Sequence, residues 1–244
     1  MNVCVIGQGV LAATTKEACA KVGHTLQPIA HKGIEVLWVC YDTPVSETGD
    51  ADYEWVINRM QEEFQNLEVD PVILISSQLP VLTTFRIRER FPRRYFACSP
   101  ENIRVATALK DFLHQSRIVI GRPNASRDSI LTALLSPFSS NLMFTSCETA
   151  EMVKHALNCW LGMNIAFINE IKRVCDYVKA DPDVVADALL AERRVGTQAP
   201  LRPGKPFGGG HLMRDIKHME SISRGRAIPL PIITHIRESN EYQA

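Results

Sequence analysis

Residues 2–12 read NVCVIGQGVLA, an apolar strand that stops at a glycine turn and continues as a helix. Gly7 and Gly9 follow the spacing Gly-x-Gly-x-x-small, and Ala12 supplies the third small residue. The first glycine permits a tight turn, the second lets the backbone approach a pyrophosphate, and the third small residue lets the helix pack on the strand. This stretch therefore predicts the strand, turn and helix that open a dinucleotide-binding fold.

Further strands and helices alternate up to residue 146. The run at residues 35–41, EVLWVCY, is almost wholly apolar, as in a strand covered on both faces. Further strands are predicted at 25–30, 71–76, 95–98, 117–120 and 142–145, and a helix at 52–67. Strands separated by helices indicate βαβ units. We therefore predict an α/β fold, a Rossmann-like, doubly wound and mostly parallel sheet in residues 1–146.

Residues 147–244 are predicted to form a helical domain. A helical repeat covers residues 149–179, which span roughly 46 Å at about 1.5 Å per residue. Asp181-Pro182 ends this helix, and residues 183–192 form the next one. The middle of the long helix is apolar nearly all round, at Trp160, Met163, Ile165 and Phe167. Because such a helix needs a second covering surface, we predict a homodimer through residues 149–179.

Composition narrows the class of protein. The chain has 27 basic and 27 acidic residues and no basic run that stands out, so neither nucleic acid nor an anionic membrane is predicted as a partner. Its opening residues predict a strand rather than a signal peptide, and its longest apolar stretch is too short to span a bilayer. Seven cysteines without CxxC spacing predict reduced, buried thiols in a cytoplasmic protein and no metal site.

Several longer motifs carry a family resemblance. Residues 203–215, PGKPFGGGHLMRD, resemble the catalytic loop of the UDP-glucose/GDP-mannose 6-dehydrogenases, roughly PGxGxGGxCxxKD. Residues 149–170 are similar to the family's TAEMIKYAxNxxLAxKIxFINE segment. Weaker matches follow the same order at 42–44 (a TP turn near the cofactor), 99–104 (PEFLREG) and 111–121 (DFLxPDRIVIG). The resemblance implies a shortened member of the family with a diverged active site. The chain lacks the family's strand–helix unit between 30 and 35, and the match ends near residue 240, where the family's second Rossmann-like domain begins.

The resemblance also implies site residues. Lys154 and Asn158 lie one helical turn apart and would stabilise negative charge on a substrate oxygen. The implied catalytic residues are Lys154, Asn158, His211, Asp215 and Glu101. A nucleotide-sugar or sugar phosphate would meet Gly208, Gly209, Gly210 and Arg214. The cofactor would lie against Gly7, Gly9, Ala12 and Thr43.

Four positions depart from the family. His211 stands in place of the nucleophilic cysteine, Val105 replaces a glutamate, and Gln78 and Leu82 replace the threonine and glycine of an STVPxGTT segment. A thiolate can form a thiohemiacetal that loses a hydride to become a thioester, and imidazole cannot do this as readily. The four-electron oxidation of an alcohol to an acid is therefore predicted to be lost. His211 would instead act as a general acid or base.

The cofactor and the activity stay open at this point. Residues 25–31 lack the acidic residue that holds the ribose of a dinucleotide, so the prediction is either no cofactor or weakly bound NAD. Three functions remain: a repurposed enzyme with acid/base chemistry, a noncatalytic nucleotide-sugar-binding or partner subunit, and an NAD-dependent two-electron oxidoreductase or epimerase. Joint retention of Lys154, Asn158 and Asp215 favours the first.

Overall fold

The computed structural model describes residues 1–44, 51–208, 210–224 and 226–243. Gly209 and the side chain of His211, both predicted site positions, lie outside the described residues. The described chain divides into two compact units, the first ending at Lys154 and the second beginning at His155.

The first unit is built on a seven-stranded sheet with the order β2-β1-β3-β4-β5-β6-β7. Strands β1 to β5 run parallel, β6 is antiparallel to β5, and β7 is parallel to β6. The predicted Rossmann-like, mostly parallel sheet is thus confirmed. The strands are β1 (Asn2–Ile6), β2 (Thr25–Leu26), β3 (Val36–Val39), β4 (Val72–Ile75), β5 (Phe96–Cys98), β6 (Ile118–Gly121) and β7 (Leu142–Thr145).

Helices cover this sheet and give it two cores. Trp38 of β3 packs with Phe112 and Phe138 on one face, while its neighbour Leu37 packs with the cluster of the other face. Alternate residues of a strand point to opposite faces, so two covered faces require the continuous apolar run seen in the sequence. The helices of this unit are α1 (Gly9–Lys21), α2 (Tyr53–Phe64), α3 (Thr83–Arg90), α4 (Ala108–Leu113) and α5 (Asp128–Leu135).

Strand β2 is shorter than predicted. Residues 25–30 were expected to be extended, but pairing with β1 stops after the N–H of Gln27 donates to the carbonyl of Val3. The chain then turns, because the carbonyl of Pro28 accepts from the N–H of His31 at 3.0 Å. The connection from β2 to β3 at residues 27–35 contains neither a helix nor a strand. The loss of a family strand–helix unit between 30 and 35 stays a prediction from the resemblance.

The second unit is helical. Helix α6 (Cys147–Val178) begins in the first unit and is followed by α7 (Pro182–Ala191), α8 (Gly210–Arg224) and α9 (Pro231–Tyr242). Asp181 caps α7 by accepting from the N–H groups of Asp183 and Val184. On α6, Ile165 is half-buried, whereas Trp160 and Phe167 are 52% and 45% exposed.

Two further findings bear on the predictions. All seven cysteines are buried and unpaired, and burial raises the pKa of the Cys19 thiol to about 12, as expected of inert reduced thiols. Within the described ranges, no helix has both the length and the apolar character of a membrane span.

Candidate functional site

The glycine turn lies at the switch point of the sheet. The chain places β2 on one side of β1 and β3 on the other, and the carboxyl ends of two such strands flank the crevice where α/β proteins bind ligands. Gly7 and Gly9 have φ angles of 128° and 87°. A Cβ on Gly7 would lie 2.2 Å from the carbonyl oxygen of Cys40, so only glycine fits. The predicted turn therefore opens α1.

Asp42 lies directly against this turn. A Cβ on Gly9 would be 1.7 Å from Asp42 Oδ2, which means that the carboxylate touches the Gly9 backbone beside the N-terminus of α1. This position is favourable for a carboxylate but would repel the pyrophosphate of a dinucleotide. Thr43, another predicted cofactor residue, donates its hydroxyl to the carbonyl of Gln78 at 2.9 Å. The turn suits a dinucleotide, whereas the charge beside it does not.

Glu101 and Lys154 form a polar group in the first unit. Lys154 Nζ donates to Asn102 Oδ1 at 3.1 Å, and the N–H of Asn102 donates to Glu101 Oε1 at 2.8 Å. Burial raises the pKa of Glu101, while the N–H of Asn102 and the charge of Lys154 oppose that rise. Two predicted catalytic residues are thus linked through Asn102. Val105, in contrast, is 69% exposed.

The start of α3 keeps a glycine-like backbone without the glycine. Leu82, at the family's glycine position, has a φ of 72°. Its N–H donates to Glu151 Oε2 at 2.7 Å, and the N–H and hydroxyl of Thr84 donate to Glu151 Oε1 at 2.9 and 2.6 Å. Glu151 is buried, so its carboxylate serves as an internal cap for α3. Sequence reasoning did not identify this role.

Asp215 is the centre of a buried polar group in the second unit. Asn158 Nδ2 donates to Asp215 Oδ2 at 2.5 Å. His155 Nδ1 lies 3.1 Å from Asp215 Oδ1, without the geometry of a hydrogen bond, so this pair is an electrostatic contact. All three residues are at most 5% exposed. The structure therefore brings together two predicted residues, Asn158 and Asp215, that are far apart in the chain.

His155 is the residue of this group that sequence reasoning missed. Its ring lies 4.8 Å from that of His218, measured between centroids, at 39° between planes. Its place in the sequence could have identified it. His155 follows Lys154 and lies three positions before Asn158, on the same helix face. It also stands where the quoted family segment has tyrosine. The group thus contains an imidazole that the motif does not.

The loop residues are only partly described. Gly208 is exposed, with open space around the position of a Cβ, and Gly210 is the first residue of α8. Arg214 is half-buried. No group of three or more potential metal ligands occurs among the described residues.

Comparison with known proteins assigns both parts of the chain. The family model described as UDP-glucose/GDP-mannose dehydrogenase family, NAD binding domain, matches residues 27–139, and that of the family's central domain matches residues 148–242. UDP-glucose 6-dehydrogenase TuaD of Bacillus subtilis is 30% identical over 223 residues, covering 88% of this chain and 48% of that protein. UDP-glucose 6-dehydrogenase of Rickettsia bellii is 31% identical over 217 residues, covering 86% and 50%.

The fold agrees with this assignment. A UDP-glucose dehydrogenase from Pyrobaculum islandicum superposes with a TM-score of 0.84 at 19% identity, over 99% of this chain and 68% of that one. The chain spans about half the length of the curated relatives it matches. With both domain models matched in order, the chain belongs to the UDP-glucose/GDP-mannose dehydrogenase family.

Proposed function

We propose that this chain binds a nucleotide-sugar or sugar phosphate and carries out proton-transfer chemistry on it without net four-electron oxidation. The observation that carries the proposal is the buried group of Asp215, Asn158 and His155. A nearby carboxylate stabilises the protonated form of an imidazole, and such a ring is a common general acid or base. The family match supports the class of substrate, because the relatives are named UDP-glucose 6-dehydrogenases.

Loss of the parent oxidation follows from the position of His211. The family's reaction needs an acyl group on a sulfur, which is formed when a thiohemiacetal gives up a hydride. An imidazole at this position favours proton transfer instead. We propose that His211 and Asp215 share this role, while Lys154 and Asn158 stabilise negative charge on the substrate.

We propose that NAD binds weakly if at all. The Gly7-Gln8-Gly9 turn and the match to the NAD-binding domain support a dinucleotide site. Against it stand the carboxylate of Asp42 at Gly9 and the absence of an acidic residue in 25–31. The two-electron oxidoreductase therefore stays a second candidate, supported by the turn and by the match to the NAD-binding domain.

Incubation with UDP-glucose, UDP-N-acetylglucosamine and GDP-mannose tests the proposal. We expect calorimetric binding of one of them and a change in its sugar proton resonances by NMR without NAD. Formation of a uronate with two equivalents of NADH would contradict the loss of oxidation. Binding without any change in the sugar would favour the noncatalytic subunit instead.

We further propose a homodimer through α6. Trp160, Phe167 and Val174 recur every seven residues and are 52%, 45% and 58% exposed. An apolar stripe at this spacing is typical of a helix that packs on another helix. Sedimentation at micromolar concentration should give a dimer, and Phe167→Glu should give a monomer. A monomeric unmodified chain would contradict this proposal.

A further inference from the structure

The stretch from Phe85 to Arg94, FRIRERFPRR, holds five arginines that the zero net charge conceals. Three have partners in the first unit. Arg86 lies over the ring of Tyr53 at 4.9 Å, and Arg90 donates to Gln61 of α2 at 2.8 Å. Arg94 donates to the carbonyl of Val69 at 3.2 Å. These three guanidinium groups stabilise the packing around α3.

The other two arginines, Arg88 and Arg93, make no hydrogen bond, ion pair or ring contact with any residue in the described ranges. Both line one cavity of about 480 Å³. Tyr95 and Asp70 also line it. Tyr95 immediately precedes β5 and Asp70 lies two residues before β4, so the cavity is at the amino ends of these two strands. The glycine turn lies at the carboxyl ends of β1 and β3, so the cavity is separate from it.

The cavity wall is positively charged and partly apolar. Arg88, Arg93, Arg94 and Arg127 line it against two acids, Asp70 and Glu89. The nearest of these opposite charges, Arg127 and Asp70, are 3.9 Å apart, so they neutralise each other only in part. Tyr95 is held in place by donating its hydroxyl to the carbonyl of Asn124 at 2.6 Å. Phe85, which is 45% exposed, gives the wall a flat apolar face.

We propose that this cavity binds a phosphorylated small molecule the size of a nucleoside monophosphate. Guanidinium groups bind phosphate through two parallel hydrogen bonds, and two arginines without other partners are available for it. The ring of Phe85 offers a surface on which a planar base can stack. The volume is within the range of small-molecule sites and too small for a nucleic acid track. This site is independent of the proposed chemistry at Asp215.

Calorimetric titration of the full chain with UMP, inorganic phosphate and uridine tests the proposal. UMP should bind, phosphate should bind more weakly, and uridine should give no heat at the same concentrations. The double variant Arg88→Ala/Arg93→Ala should lose at least tenfold in UMP affinity. Arg90→Ala is the control, because Arg90 lies on α3 with Arg88 but does not line the cavity. The affinity of this variant for UMP should change less than twofold.

Folding and location are controlled in the same experiment. Because Arg88 and Arg93 have no partners among the described residues, thermal unfolding of the double variant should match that of the unmodified chain. Asp215→Asn should keep UMP binding, which separates this cavity from the proposed nucleotide-sugar site. The proposal would be overturned if the unmodified chain did not bind UMP, or if Arg90→Ala lost as much UMP affinity as the double variant.

Discussion

Glu151 and Asp215 are both buried carboxylates, yet their surroundings differ in kind. Glu151 accepts three hydrogen bonds from the start of α3, two of them from backbone N–H groups. The described contacts of Asp215 are with side chains instead, the amide of Asn158 and the imidazole of His155. Backbone donors cannot titrate, so Glu151 is suited to hold structure. An imidazole is a common general acid or base in enzymes, which is why we propose a chemical role for the group around Asp215.

The largest expected effect is on activity. Asp215→Asn removes the charge that faces His155, and we expect turnover of the nucleotide-sugar to fall at least about a hundredfold, the usual contribution of a positioned acid or base. Initial rates at saturating substrate, followed by NMR, would measure it. His155→Tyr, which restores the family's residue, should also lower the rate. Unchanged rates in both variants would remove this group from the chemistry.

The next effect is on stability. Glu151→Ala removes the acceptor of the buried Thr84 N–H and the part-buried Leu82 N–H, and we expect the free energy of unfolding to fall by about 3 kcal/mol. Urea unfolding followed by circular dichroism would measure it. Glu148→Ala, on the same helix, is the control and should change little. If Glu151→Ala lost no more free energy of unfolding than Glu148→Ala, the carboxylate would not stabilise α3.

The pH dependence of stability gives a finer test of Glu151. Burial raises the pKa of this carboxyl above its ordinary value, so the folded chain holds the proton at a higher pH than the unfolded chain does. Its contribution to the free energy of unfolding should therefore fall as pH rises from about 4.5 through the raised pKa, and then level off. Urea unfolding of the unmodified chain and of Glu151→Gln at several pH values would measure this pH dependence. Only the unmodified chain should show it, since glutamine does not ionise.

A third carboxylate, Asp42, extends the comparison to the glycine turn. Asp42→Asn removes the charge that lies against Gly9, and we expect NAD to bind about tenfold more tightly, equivalent to about 1.4 kcal/mol. Quenching of tryptophan fluorescence by NADH would measure it. Asp52→Asn, farther along the chain, is the control for a general change of charge. Equal affinity in the unmodified chain and Asp42→Asn would mean that this carboxylate does not oppose the cofactor.

The smallest expected effect concerns Leu82. Leu82→Gly relieves a left-handed backbone that costs a side chain about 1 kcal/mol, partly offset by the greater freedom of glycine when unfolded. We expect a gain of about 0.5 kcal/mol in the free energy of unfolding. Val81→Gly is the matched control and should destabilise the chain, because Val81 does not have a positive φ. A loss of stability in Leu82→Gly would show that the leucine side chain outweighs the strain.

The sequence predicted the sheet well because its strands are continuous apolar runs. It placed β7 at the observed residues and the long helix within two residues at each end. It overextended β2, since the turn that closes between Pro28 and His31 leaves no clear mark in the sequence. Asn158 and Asp215 were predicted through family motifs, and only the fold shows that their side chains meet.

Other features could not be predicted because they depend on partners that lie far apart in the chain. The role of Glu151 follows from its reach to Leu82 and Thr84, 69 and 67 residues away. Likewise, the sequence does not distinguish the five arginines of residues 85–94. Only the fold shows that three of them contact other residues. The homodimer and the domain boundary near residue 146 stay predictions.

The turn at Leu82 has a consequence for tracing ancestry. A column-by-column comparison of residues records the family's glycine as lost at this position. Leu82 nevertheless has a left-handed φ of 72°, which glycine adopts without strain, and its N–H and that of Thr84 are held by Glu151. A backbone angle can thus mark a position suited to glycine where the residue itself gives no such sign.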